Sequence, residues 1–496
     1  MEVRDGPPTP DSAALMRHED EVSPIQDRRH LTDSRPIRWD REAATSRASA
    51  AIDALLDDLE AWEPKRARRR RAADRGRLRV ILEAVTLELW LARRDTPTRW
   101  LAYSRGDLGY VGPDRYRHPE ASKTTVTLVA DFLTSTGLAE GRAGSYRRED
   151  HGFAQSGKGY LSRLRGTDAL LPWADGQGLA DDDVALNDRF ELIRLKGQAK
   201  TRRGRKPLLH YDDTPDTTAM RDRLRSWAAM MAGHEVTLGS DGTSGEKASG
   251  ARLDDPLSDA EEFQARGAGS CRLYRIFNDG SWDRGGRFYG GWWQGLSKAD
   301  RERLLIDGEE TVELDFASLH PRLCYQLNGA PLAAGDDPYA VPGVPEELRD
   351  VVKVAMMQLL NAQPGKARVK APPGATARLK GRMSYKALAA HLEARHSGIS
   401  NWFRQGLRGL ELQAIDAAIA DVVMNYFTVA MKRPVLPVHD SFIVARRDER
   451  TLAETMALAY QGQLSRLVAA PAAPVIRGFS SDEEEAAFLA YVARWS

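Results

Sequence analysis

The chain has 496 residues, long for a single hydrophobic core, so two or three domains are expected. With 42% hydrophobic and 29% charged residues it has the make-up of a soluble globular protein, and a formal net charge of +1 says nothing for or against a polyanionic partner. Two cysteines, Cys271 and Cys324, are too few for a disulfide framework or a four-ligand zinc site and read as small buried hydrophobes.

No apolar run reaches the roughly 18 residues of a membrane span, and the opening MEVRDGPPTPDS lacks the apolar stretch of a signal peptide. A cytoplasmic, reducing setting with no membrane contact is expected. Residues 1–48 are rich in Pro, Asp, Ser and Arg without periodicity, which predicts disorder. Ser49–Trp62 carries Ile52, Leu55, Leu56 and Leu59 at helical spacing. It leads into the basic block Lys65–Arg79, which suits phosphate contact or a solvated tail. Residues 1–75 are therefore read as a largely disordered basic tail with one helix.

Leu78–Leu91 predicts a second amphipathic helix, and Ser122–Gly137 a third, opened by an N-cap serine and closed by glycine. Leu138–Gly144 and Gly159–Arg165 predict the two strands of a wing with SYRREDHGFAQSGK at its tip. Residues 76–180 thus look like a mostly helical winged-helix unit, a DNA-binding variant of helix-turn-helix, with the Tyr and Arg of GYVGPDRYRH and SYRR against backbone or bases. Such a wing can equally serve as a protein-contact module. Residues 181–265 are read as a hairpin (Phe190–Lys196 with Leu208–Tyr211), a long helix Thr217–Met231 and a flexible linker Ser240–Asp259. Further basic blocks lie at Arg194–Lys206 and Lys366–Arg382. From residue 266 to 496 the pattern is dense α/β.

Within that last region, Val312, Leu314 and Phe316 alternate with Thr311, Glu313 and Asp315, which predicts a strand with an acid at its far end. Taken alone, Asp315 is either a solvated strand terminus or a catalytic carboxylate. Glu346–Asn361 predicts a helix with Leu348, Val352, Ala355, Met356 and Leu359 buried, while Arg349, Lys353 and Met357 recur every four residues on an adjoining face and Asn361 follows. Two cations so placed repel slightly, and an anion such as a triphosphate would relieve them. His439-Asp440 occupies a tight turn between Val435–Val438 and Phe442–Ala445, which presents a carboxylate at a sheet edge where a hard divalent cation can use it.

Together these segments resemble the palm-and-fingers polymerases: the family A DNA polymerases and the phage-type or mitochondrial single-subunit RNA polymerases. Asp315 in DFASLHPR, Arg349 and Lys353 in RDVVKVAMMQLLN, and His439-Asp440 in VHDSF look like that family's motifs A, B and C. DRGGRFYGGWWQ (Asp283–Gln294) is similar to the family's Asp-x-Arg-Gly-Arg-x-Tyr segment, with Gly285 where the first Arg would fall. The resemblance covers roughly residues 270–450; the first half of the chain has no equivalent match. It implies an α/β (α+β) polymerase palm with reduced helical fingers over residues 266–496, a thumb-like role for 181–265, and template-directed nucleotidyl transfer by a two-metal mechanism.

On that resemblance, Asp315 and Asp440 hold two Mg²⁺ ions (Mn²⁺ as the substitute), and the Phe316 carbonyl adds a further contact. Arg349, Lys353, Met357 and Asn361 face the nucleoside triphosphate, with Lys353 as proton donor to the pyrophosphate. Arg284, Arg287, Tyr289, Arg322 and His439 contact the DNA template or the growing strand. His320, five residues after Asp315, stands where family A DNA polymerases carry a Glu that blocks a 2′-hydroxyl. A histidine there can act as a steric gate favouring dNTP or as a donor to a 2′-oxygen favouring NTP. Asn361 replaces the family's Tyr, and the intervals from Asp315 to Lys353 and from Lys353 to Asp440 are short for the family. DNA-dependent RNA or primer synthesis is favoured over DNA synthesis. The alternatives are a catalytically silent DNA-binding initiation or regulatory protein on a polymerase-like scaffold, and an untemplated nucleotidyltransferase.

Overall fold

A computed structural model describes residues 34–64, 70–144, 146–151, 154–159, 161–187, 189–199, 206–239, 272–362, 364 and 369–493. The expected disorder over 1–33, positions 65–69 of the first basic block, parts of the wing tip, positions 200–205, the linker 240–259, Cys271 and positions 365–368 lie outside the described residues. The fold is mixed α/β and divides into two units.

The first unit runs to Glu191. Thr45 caps helix α1 (Ser46–Trp62) by accepting from Ala48 N–H, and Ser122 caps α3 (Lys123–Ser135) through a reciprocal box with Thr125. Between them, α2 spans Ala72–Asp95, and the short α4 (Leu170–Gly176) closes the unit's helices. Leu55 and Leu59 of α1, Ile81 and Val85 of α2 and Phe132 of α3 meet in one core with Leu101 and Leu164 of the sheet. That sheet has the order β1 (Ser34–Pro36), β3 (Trp100–Tyr103), β7 (Ser162–Gly166), β4 (Ala139–Arg142), while β2 (Arg41–Ala43) pairs β8 (Val184–Leu186).

The expected wing strands do pair, Ala139 opposite Gly166 through Arg142 opposite Arg163, and a hairpin of β5 (Tyr146–His151) and β6 (Ala154–Gly159) extends them. The boundary drawn at 75/76 is corrected. From Ser34 onward the supposed tail supplies two strands and a helix to the same core, because the apolar stripe of α1 is buried against α2, α3 and β2.

The second unit begins at Leu192, so the block 181–265 is also divided: β8 belongs to the first unit and β9 (Ile193–Leu195) to the second. There β9 pairs parallel with β11 (Tyr274–Asn278), which pairs antiparallel with β12 (Ser281–Tyr289). The predicted hairpin survives as a single bridge, Lys196 to Leu208. A second sheet runs β10 (Val236–Leu238), β13 (Leu304–Ile306), β14 (Glu309–Phe316), β16 (Ser441–Ala445), β15 (Leu436–Val438), with β17 (Ile476–Arg477) also on β14. Helix α5 (Pro215–Met231) is anchored by Trp227, whose indole N–H donates to the Val435 carbonyl at 3.0 Å.

Next in the chain come α6 (Leu319–Leu327), α7 (Arg349–Asn361), α8 (Tyr385–Arg395), α9 (Arg408–Asn425), α10 (Glu449–Leu464) and α11 (Asp482–Val492). α9 packs across β12 and against α10. The helical segment Arg408–Met431, which includes α9, is long and apolar enough to cross a membrane, at mean hydropathy 1.4. It also carries the buried polar residues Gln413 and Asp416.

Candidate functional site

β14 and β16 run antiparallel with Asp315 opposite Ser441, and β15 and β16 close a hairpin with Val438 opposite Ser441. Its two turn residues are His439 and Asp440. His439 has φ +60°, the left-handed conformation that the first position of a two-residue hairpin turn requires and that glycine usually fills. Phe316 N–H donates to the Asp440 carbonyl at 3.3 Å, which fixes the turn to the end of β14. Asp315 and Asp440 therefore meet at one end of the sheet.

Burial, and next the Asp440 charge, push the Asp315 carboxyl up to about 7, against the opposing charges of Arg477 and Lys353. The same balance shows that Asp440, Arg477 and Lys353 all lie within electrostatic reach of Asp315. Arg477 Nε and Nη2 donate to Asp315 Oδ2 at 3.2 and 3.0 Å. Glu313, on the same strand face, is already taken: Arg301 donates to it at 2.8 and 2.9 Å and Ser441 Oγ at 2.6 Å.

Among the described residues no three His, Cys, Asp or Glu side chains form a metal cage. Asp315 and Asp440 are the two carboxylates brought together at this sheet end, and oxygen donors of that kind fit a hard divalent cation that keeps its waters and takes few protein ligands.

On α7, Arg349 donates to Asp337 at 2.8 and 3.1 Å and lies 4.9 Å over the Tyr339 ring. Against the opposing effect of burial, Arg349 holds the Asp337 carboxyl below its usual range. The buried Tyr339 hydroxyl is pushed up by burial and then by the Asp440 charge, which places this clasp beside the carboxylates. Lys353 is exposed and Met357 half-buried. Asn361 turns back instead, its amide donating to the Met357 carbonyl at 2.8 Å while the side chain packs on the bare Cα of Gly409. Phe316 is buried against Tyr460 at 5.7 Å.

Several expected nucleic-acid contacts sit elsewhere. Arg287 is buried and donates to Asp416 on α9 at 2.6–3.2 Å. His320 is buried too, with Nε2 2.8 Å from Asp416 Oδ2. A carboxylate can only accept, so Nε2 carries the proton and donates. The placement of both side chains is corrected from a substrate-facing surface to a buried triad, because a carboxylate on a core helix has to be matched by donors.

Tyr289 is buried and stacked on Tyr274 at 6.1 Å, with His439 edge-on at 6.0 Å. Arg322 donates to the carbonyls of Ala317, Ala333, Ala334 and Asp336, bracing a loop. Arg284 is partly exposed, paired with Asp279 and 3.8 Å from Glu411. Gly285 is a glycine for a local reason. Its φ is +79° at a bulge in β12, and a Cβ there would lie 2.9 Å from the Ile276 carbonyl.

The sequence reading missed Arg477, Asp416 and the Asp337/Tyr339 clasp. The PYAVPG turn was the one available hint of an ordered loop; nothing local marks the other two. Comparisons with protein-family models, with curated proteins and with solved structures returned no match.

Proposed function

We propose that this chain catalyses template-directed nucleotidyl transfer with two divalent cations, Mg²⁺ or Mn²⁺, held by Asp315 and Asp440 on a palm-like sheet with reduced fingers. The observation that carries the reading is the register of β14 against the β15–β16 hairpin, which joins two carboxylates distant in sequence at one sheet end, beside Lys353 and Arg349. When bound, such ions activate a 3′-hydroxyl and neutralise the pyrophosphate leaving group.

The chain's own residues do the rest. Arg349, its Nε and Nη2 held by Asp337 and its guanidinium over the Tyr339 ring, presents a fixed positive charge to the phosphate oxygens. Lys353, within electrostatic reach of Asp315, neutralises the triphosphate and gives a proton to the departing pyrophosphate. The Arg287–Asp416–His320 triad underlies this surface and sets the separation of β12, α6 and α9. In the first unit, a winged-helix-like reading of α2, α3 and the β4–β7 ribbon with its β5–β6 extension supplies a grip on DNA.

The test is incorporation of labelled NTPs or dNTPs on a single-stranded DNA template, with and without primer, in Mg²⁺. Loss of product in Asp315→Ala and Asp440→Ala, with template binding retained, is the expected result. Product formation by both variants would falsify the reading. Products whose sequence ignores the template would make the activity untemplated tailing.

A further inference from the structure

β17 is only two residues long, yet its position is tightly determined. Ala317 N–H donates to the Val475 carbonyl at 2.8 Å, Ile476 pairs with Phe316, and Arg477 pairs with Asp315. Gly478 follows with φ +96°, and a Cβ there would lie 2.3 Å from the Glu313 carbonyl oxygen. The segment 475–478 is thus pressed against the end of β14, and Arg477 emerges beside the candidate metal carboxylate.

Both of its donated bonds go to one oxygen, Asp315 Oδ2. At 49% exposure the Arg477 side chain is no core strut, and its charge reaches Asp337 and Tyr339, the pair that clasps Arg349. A guanidinium binds carboxylate and phosphate with the same forked geometry. It can therefore exchange one for the other without being rebuilt.

We propose that Arg477 is a resident counter-ion of this site, seated on Asp315 Oδ2 before a divalent cation arrives and transferring to the phosphate oxygens of the incoming polyphosphate. The inference rests on the metal-centre reading above. A cation entering alone has to displace Arg477 from Asp315, whereas one entering with a polyphosphate finds Arg477 drawn away. Metal and triphosphate then bind synergistically, each raising the affinity of the other by the same factor.

The experiment measures Mn²⁺ binding by electron paramagnetic resonance on the full chain, for the wild type, Arg477→Gln, Arg477→Lys and Asp315→Asn. Pyrophosphate binding at saturating Mn²⁺ is followed by calorimetry on the same proteins. Arg477→Gln is expected to tighten Mn²⁺ binding roughly twofold to fivefold in the absence of phosphate, the scale of a partly exposed ion pair. It should weaken pyrophosphate binding by about tenfold, the loss of a charge-assisted pair. Arg477→Lys should shift both in the same direction by less, and it serves in place of Gln if that variant does not fold. Mn²⁺ binding that is unchanged or weaker in the Arg477 variants overturns the inference. If Asp315→Asn abolishes Mn²⁺ binding while the Arg477 variants behave as wild type, this inference alone fails. A wild type that binds no Mn²⁺ removes the metal-centre reading and this inference together.

Discussion

Arg287 and Asp416 form an ion pair in the interior of the second unit, with Nη2 2.6 Å from Oδ2, and His320 donates to the same carboxylate oxygen. Three elements, β12, α9 and α6, are thereby tied at one point. Removing one partner strands the others without solvent. Asp416→Ala is expected to lower unfolding stability by about 3–5 kcal/mol, and Arg287→Met combined with Asp416→Leu to cost clearly less than the sum of the single changes. Urea unfolding of Asp416→Ala, Arg287→Met, Asp416→Leu and the double variant measures this. Additive costs would show that the pair is not coupled.

Asp315 gives a pH signature in metal-free protein. Its folded carboxyl is raised to about 7, above the unfolded value near 4. Between those values the folded state holds a proton that the unfolded state has lost. Stability therefore falls as pH rises from 4 through 7 and levels off above. Asp315→Asn should melt higher than wild type at pH 8 and show a much smaller difference at pH 5. A difference independent of pH would contradict the crowding of Asp315 and Asp440.

His396 works with the opposite sign. It is buried, with Nδ1 accepting from the Tyr325 hydroxyl at 2.9 Å and Nε2 donating to the Pro338 carbonyl at 2.8 Å. Pro338 lies between Asp337 and Tyr339, so this neutral imidazole holds the clasp on Arg349. Burial lowers its pKa to about 4 from an unfolded value near 6.5. The unfolded chain binds the extra proton in that window, so stability drops as pH falls from 6.5 to 4, by about 3 kcal/mol in all. His396→Gln, which can still donate to Pro338, should flatten that part of the stability profile; a profile as steep as the wild type's would rule the assignment out.

Gly478 and Gly462 make a matched pair. At Gly478 an alanine meets the Glu313 carbonyl with φ at +96°, whereas at Gly462, within α10, a Cβ meets open space. Gly478→Ala should destabilise the protein by about 1–3 kcal/mol, and Gly462→Ala should stabilise it by about 0.4–1 kcal/mol. Thermal melts of the two variants decide this. Equal shifts would mean that β17 is not pressed against β14.

What the sequence by itself determined are the features that short-range physics controls. Alternation over Thr311–Phe316 marked a strand with Asp315 at its end, the apolar stripe over Glu346–Asn361 marked the helix carrying Arg349 and Lys353, and a two-residue turn put Asp440 between two apolar runs. Each follows from periodicity or turn chemistry within about ten residues. Tertiary structure alone decided which charges find each other. Arg287 reaches Asp416 across 129 residues and Arg477 reaches Asp315 across 162. An ion pair between distant segments leaves no pattern in either, so residues resembling surface contacts were claimed by the interior. α1 likewise passed for part of a tail, because the core that buries its leucines is assembled from helices further along the chain.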